Sequence, residues 1–162
     1  MDIVNSTIFT SLGFIFLGLK EEFDLPSINI HLHKTIPMGA GLGGGSADAA
    51  FMLKMLNKEF SLELSAQELE KRASKLGADC AFFIENKPTL AKGIGNIFEP
   101  TTINLAGYHI ILIKPNVHVS TAEAYGGCKP QRWTTPLEEA IKRPITEWKD
   151  CIFNDFEKTV II

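Results

Sequence analysis

Lys34-Thr-Ile-Pro-Met-Gly-Ala-Gly-Leu-Gly-Gly-Gly-Ser46-Ala-Asp-Ala-Ala50 holds five of the chain's thirteen glycines, at positions 39, 41, 43, 44 and 45. An alternating apolar segment leads into it and an alanine-rich segment follows. Glycine tolerates positive φ and lets a ligand approach the backbone closely. A glycine loop that feeds a helix start presents unpaired N–H groups and the positive end of the helix dipole. That combination suits an anion, most often a phosphate. A plain linker is the competing reading, but linkers rarely end so sharply at a helix start.

Three kinds of phosphate loop can be compared with this stretch. A Walker A loop ends in Gly-Lys-Ser or Gly-Lys-Thr, whereas this one ends in Gly44-Gly45-Ser46 with no lysine. The dinucleotide fingerprint G-x-G-x-x-G does match at Gly39, Gly41 and Gly44. It also needs a compact strand–turn–helix unit and a following strand that ends in an acid. Asp2 to Lys34 supplies no such unit, and Phe60 to Leu64 is too short to be that strand.

The third kind is P-x-G-x-G-L-G-G-G-S, met here as Pro37-Met38-Gly39-Ala40-Gly41-Leu42-Gly43-Gly44-Gly45-Ser46. It resembles the ATP loop of the GHMP kinases. Three further stretches resemble the family in the same order: Gly77-Ala78-Asp79-Cys80-Ala81-Phe82-Phe83, Leu90-Ala91-Lys92-Gly93-Ile94-Gly95, and Asn154-Asp155-Phe156-Glu157. The likeness runs from about residue 19 to the C-terminus. It implies an α+β fold, the N-terminal domain of these kinases, like domain 2 of ribosomal protein S5. That fold is a mostly antiparallel sheet with helices on one face. ATP is the implied phosphate donor, with Mg²⁺ held mainly by the ATP phosphates and Ser46 as a candidate ligand. The implied acceptor is a small molecule, a CDP-linked methylerythritol of the non-mevalonate isoprenoid pathway.

The same resemblance assigns residues. Pro37 to Ser46, together with Ala47, form the ATP loop. Asp79 matches the catalytic aspartate. Lys34 matches a lysine that contacts the cytidyl portion of the substrate, and Ser120 and Thr121 border the substrate pocket. The chain also departs from the pattern. Residues 1–20 carry no Ala-x-Ala-Lys-Ile-Asn-like motif, no Gly-Thr-Gly-Ala motif follows, and Ala47 stands where many members have a serine. We therefore expect an internal piece of such a kinase. Residues 1–152 would be the ATP-binding domain, incomplete at its start, and 153–162 the beginning of a C-terminal domain. A nucleotide-binding fragment without turnover is an alternative function, and an NAD-dependent oxidoreductase is a weaker one.

Composition sets wider bounds. A chain of 162 residues, 45% hydrophobic and 22% charged, suits one ordinary globular domain. A net charge of −3 argues against nucleic-acid binding. Cys80, Cys128 and Cys151 show no metal-ligand spacing, and an odd number fits reduced thiols in a cytoplasm. The apolar run from Ile8 to Leu19 is too short to span a bilayer and lacks the basic start of a signal peptide. It reads as part of a buried helix over residues 5–23.

Taken in order, Ser27 to Lys34 alternates Ile28, Ile30 and Leu32 with Asn29, His31 and His33, which predicts a half-buried strand. His31 and His33 share a face, but without a third ligand they read as a solvated strand face rather than a metal site. Lys34 by itself is equally an ordinary strand-end lysine. Ser46 to Glu59 is predicted as a helix with Ser46 as N-cap and Ala49, Leu53, Leu56 and Phe60 inward. The Ser46 hydroxyl could instead face a phosphate or Mg²⁺. Asp48 falls in the favoured first turn and is not read as catalytic.

Ser65-x-x-Glu68 predicts a capping box, with a helix to about Leu76 and Gly77 as its stop. Cys80 to Ile84 reads as a buried strand or turn. Asp79 beside Phe82 and Phe83 would be partly desolvated, whether as a base or as a turn-capping acid. Thr89 to Gly93 predicts a strand that turns at Gly93-Ile94-Gly95 and returns antiparallel at Ile97 to Glu99. Tyr108 to Lys114 predicts a strand buried on both faces. Ser120 or Thr121 should cap a short helix, and Pro136 should start another that Pro144 ends. Trp133 and Trp148 read as packing residues.

Overall fold

The computed structural model describes residues 6–35, 41–113 and 119–157. It divides into two compact units, Met1–Thr101 and Thr102–Ile162. The first unit is built around one helix.

That helix is α2, Gly44–Glu59. Its stripe of Ala49, Ala50, Met52, Leu53 and Leu56 is buried, as the 3.6-residue period requires, and Leu56 is only 1% exposed. Against it pack α1 (Ser6–Phe23), α3 (Ala66–Ala73) and α4 (Phe82–Glu85). The α1 helix contributes Leu12, Ile15 and Leu19 at helical spacing, while Phe14 and Leu17 on its other side stay exposed. It is therefore amphipathic rather than buried all round. The α3 helix opens with the predicted capping box: the Ser65 hydroxyl accepts the Glu68 N–H and the Glu68 carboxylate accepts the Ser65 N–H. Leu69 and Ala73 face inward as predicted, but the helix ends at Ala73 and Leu76 is exposed. Gly77 is not left-handed and so is not the C-cap glycine expected.

Two polar side chains tie the connections to α2. Asn57 donates to the Leu64 carbonyl and accepts the Leu64 N–H, both at 3.0 Å, pinning the bend after the helix. Lys54 donates to the Ile84 carbonyl at 2.8 Å, near the end of α4. The segment 80–84 is thus a turn that runs into the short α4, one of the two predicted outcomes, and Asn86 ends it in the left-handed region that asparagine tolerates.

The sheet is smaller than predicted. Strands β1 (Thr89–Lys92) and β2 (Ile97–Pro100) pair antiparallel, Thr89 opposite Pro100 and Lys92 opposite Ile97, with the glycine turn between them as expected. Among the described residues these two are the whole sheet. Residues 27–35 are not a strand. Their alternation holds, with Ile28, Ile30 and Leu32 against the core and Asn29, His31 and His33 outside, but no described strand offers them a ladder. Residues 108–113 depart further, with Ile110, Ile111, Leu112 and Ile113 exposed by 68–87%. A continuous apolar run is buried only where layers cover both of its faces, and no described strand pairs with this one. Lys114 lies outside the described residues.

In the second unit, α5 (Thr121–Gly127) starts from Ser120, one of the two predicted caps, again in a capping box, with Glu123. The α6 helix (Leu137–Ala140) follows Pro136, which stands at the N-cap rather than inside the first turn, and Pro144 precedes a 3₁₀ helix, Ile145–Asp150. Trp133 stacks on Phe153 at 4.6 Å between ring centroids, and the Trp148 indole N–H donates to the Arg143 carbonyl. Helices with an antiparallel hairpin make the fold α+β, in keeping with the predicted class.

Candidate active site

The glycine loop delivers its described half, Gly41 onward, to the start of α2. Gly43 is the N-cap, with φ of 64°, and its carbonyl accepts the Ala47 N–H at 2.9 Å. Left-handed φ costs glycine nothing, so the chain turns here directly into the helix. Ser46 is therefore the third helical residue and not the N-cap predicted for it. The first turn is Gly44-Gly45-Ser46, whose amides have no partner within the helix. Nothing lies within 4 Å of where a Gly45 side chain would begin. Pro37, Met38, Gly39 and Ala40 of the predicted loop lie outside the described residues, and Ala47 is half-buried.

Asp79 follows α3 in the turn that leads to Cys80 and α4. It is exposed, not desolvated as predicted; the Phe82 ring packs edge-on against Phe83 and Phe98. One Asp79 Oδ atom sits 3.6 Å from where a Cβ of Gly95 would be, so the turn between β1 and β2 passes directly beside it.

These pieces meet in one cleft of about 340 Å³, lined by Leu42, Gly43, Asp79, Phe82, Phe83, Thr89, Ala91 and Gly95. The Phe83 ring closes its floor against Gly43: a Cβ on that glycine would stand 3.1 Å from the Phe83 Cζ. Behind the wall, Cys80 is buried, and burial pushes its thiol above the ordinary range, opposed by a hydrogen bond with the Ser46 side chain. Ser46 thus joins the start of α2 to the Asp79 turn. The Asp79 carboxylate and the Gly43 turn that opens α2 thus line the same cleft.

Lys34 lies at the edge of this region. Its Nζ is 2.5 Å from the Asp48 carboxylate and makes a long hydrogen bond of 3.4 Å to the Gly44 carbonyl. Asp48 sits beyond the first turn of α2. Sequence reasoning missed this pair, yet the alternation carried the signal: Lys34 is in phase with Ile28, Ile30 and Leu32, so it points inward. Phe83 and Gly95 were missed because their nearness to Gly43 and Asp79 depends on how the hairpin and α4 dock.

The other assigned residues fall in the second unit. The Ser120 hydroxyl is engaged with Glu123 as the cap of α5, and the Thr121 side chain lies outside the described set. His31 and His33 are exposed, and among the described residues no group of three acids, histidines or cysteines is placed to hold a metal ion.

Comparison with known proteins matches residues 11–87 to the family described as GHMP kinases N terminal domain. The 4-diphosphocytidyl-2-C-methyl-D-erythritol kinase of Bacteroides fragilis is 59% identical over 145 residues, which is 90% of this chain and 53% of that protein. The enzyme of the same name from Bacteroides thetaiotaomicron is 57% identical over 145 residues, again 90% of this chain and 53% of that protein. That from Cytophaga hutchinsonii is 50% identical over 143 residues, 88% of this chain and 53% of that protein. The chain spans about half the length of the curated relatives it matches.

Proposed function

We propose, from the premise that this chain belongs to the GHMP kinases through its residues 11–87, that it is the ATP-handling part of an enzyme that phosphorylates 4-diphosphocytidyl-2-C-methyl-D-erythritol. The acceptor is that molecule's hydroxyl, the donor is ATP, and the pathway is the non-mevalonate route to isoprenoids. The names of the relatives support the substrate. The observation that carries the chemistry is the single cleft shared by the Gly43 turn at the start of α2 and the Asp79 carboxylate.

In this reading the amides of Gly44, Gly45 and Ser46 and the positive end of α2 hold the ATP phosphates. Pro37 to Gly43 and Ala47 complete the loop. Phosphoryl transfer depends mainly on positioning and charge stabilisation. Asp79 accepts the proton of the substrate hydroxyl, whose oxygen forms a bond to the γ-phosphorus as the bond to ADP breaks. The carboxylate suits a base because it is exposed and lines the cleft. Mg²⁺ would come with the nucleotide, held mainly by the ATP phosphates with the Ser46 hydroxyl as a hard oxygen donor, and would supply charge neutralisation there. Lys34, Ser120 and Thr121 are assigned to the CDP-linked substrate, 1–152 to the ATP-binding domain and 153–162 to the next. The cytoplasm is the proposed compartment.

Titration calorimetry with ATP, NAD and a CDP-linked polyol tests this reading on a protein spanning the full length of the relatives. ATP and the CDP compound should each release or absorb heat with saturation, and NAD should not. Binding of NAD without ATP would overturn the proposal in favour of a dinucleotide enzyme, and binding of ATP without the CDP compound would overturn the substrate.

A further inference from the structure

The Lys34–Asp48 pair takes no part in the phosphoryl step itself, and Asp48 has no role in the reading above, where Lys34 is assigned to the CDP-linked substrate. Both side chains are about one-fifth exposed, 20% and 19%, so the pair is held out of bulk water. A charged hydrogen bond at 2.5 Å in that setting is stronger than a surface ion pair, which is worth little. Its location gives it consequence. Lys34 ends the segment that enters the glycine loop, and Asp48 lies on the helix that leaves it. The same ammonium reaches the carbonyl of Gly44, the first residue of α2. One cation therefore ties the two flanks of the loop together at the first turn of α2, whose amides have no partner within the helix.

A carboxylate so close to a phosphate site would repel the ligand if it stood alone, and Lys34 cancels it. We propose that Lys34 and Asp48 are a positioning pair, which fixes the first turn of α2 so that the amides of Gly44, Gly45 and Ser46 are preset for phosphate. The inference rests on the kinase reading for the identity of the ligand, but not for the fixing of the helix start. Preset donors bind more tightly because less order is lost on binding. Asp48 makes no contact with the phosphates; it acts through Lys34 and the helix start.

A double-mutant cycle in the full-length protein tests this, with Lys34→Met, Asp48→Ala and the two combined. Asp48→Asn serves as the conservative variant, since it keeps an acceptor for Lys34. Hydrogen exchange of the amides of residues 42–47 is read without ligand, and ATP affinity is read by calorimetry. Each single change should speed exchange at these amides and weaken ATP binding by about tenfold, with the double variant little worse than either. Asp48→Asn should fall between Asp48→Ala and the parent. Unchanged exchange in both Asp48 variants would overturn the pair as a positioning device, whether or not ATP binds. Tighter ATP binding in Asp48→Ala would also overturn it, because Lys34 would then be a direct ligand that Asp48 holds back. If the parent protein binds no ATP, the kinase reading fails, and the exchange measurement alone decides the pair.

Discussion

At the scale of the residue, neighbouring glycines of the same loop do different work. Gly43 has φ of 64° and the Phe83 ring 3.1 Å from its absent Cβ, so any side chain there strains the backbone and pushes the ring. Gly45 is helical, with nothing within 4 Å, so an added methyl would meet only ligand. Alanine is the better helix former by roughly 1 kcal/mol. Gly45→Ala should therefore raise the melting temperature while weakening ATP binding, and Gly43→Val should lower both. Sequence alone makes Gly43→Val look harmless to the fold, since the repeated glycines look alike; the left-handed φ and the Phe83 contact separate them. If Gly45→Ala left ATP affinity unchanged in calorimetry, the helix start would not be the phosphate site.

At the scale of the element, the capping boxes, the α2 stripe and the β1–β2 hairpin were legible because each is specified by residues within one short window. The Ser65 and Ser120 caps need only a glutamate three residues on, and the Gly93 to Gly95 turn needs only its own glycines. Residues 27–35 and 108–113 were not legible as they stand, because a strand is defined by a partner that its own sequence does not name. Contacts between elements were hidden for the same reason. Arg72 on α3 forks onto both oxygens of Glu22 on α1, at 2.6 and 2.7 Å, and lies over the Phe23 ring. The hydrogen bond from Arg72 holds the Glu22 carboxyl below its ordinary value. A lowered folded value means stability that is present above the unfolded glutamate value of about 4.3 and is lost as pH falls through the folded one. Exposure and screening keep the effect small. Between about pH 5 and pH 3, the melting temperature of Arg72→Met should therefore fall less than the parent's. Parallel curves for the two proteins would show that the fork contributes nothing.

At the scale of the molecule, the resemblance to the GHMP kinases was readable from the glycine loop and the Gly-Ala-Asp segment, because both are local strings of unusual composition. The cleft itself was not, since it forms only when α4 and the hairpin bring Phe83, Gly95 and Asp79 up to Gly43. The assignment of Asp79 is where these levels meet, and it is the claim most open to direct test. Asp79→Asn keeps the size of the side chain and most of its hydrogen bonds but cannot take a proton. In a protein of the relatives' full length, transfer of labelled γ-phosphate from ATP to the CDP-linked methylerythritol should proceed in the parent. It should fall by about 10²- to 10⁴-fold in kcat in the variant, with ATP affinity kept. Turnover of Asp79→Asn at the parental rate would contradict the account and leave Asp79 as an acid that merely shapes the turn after α3.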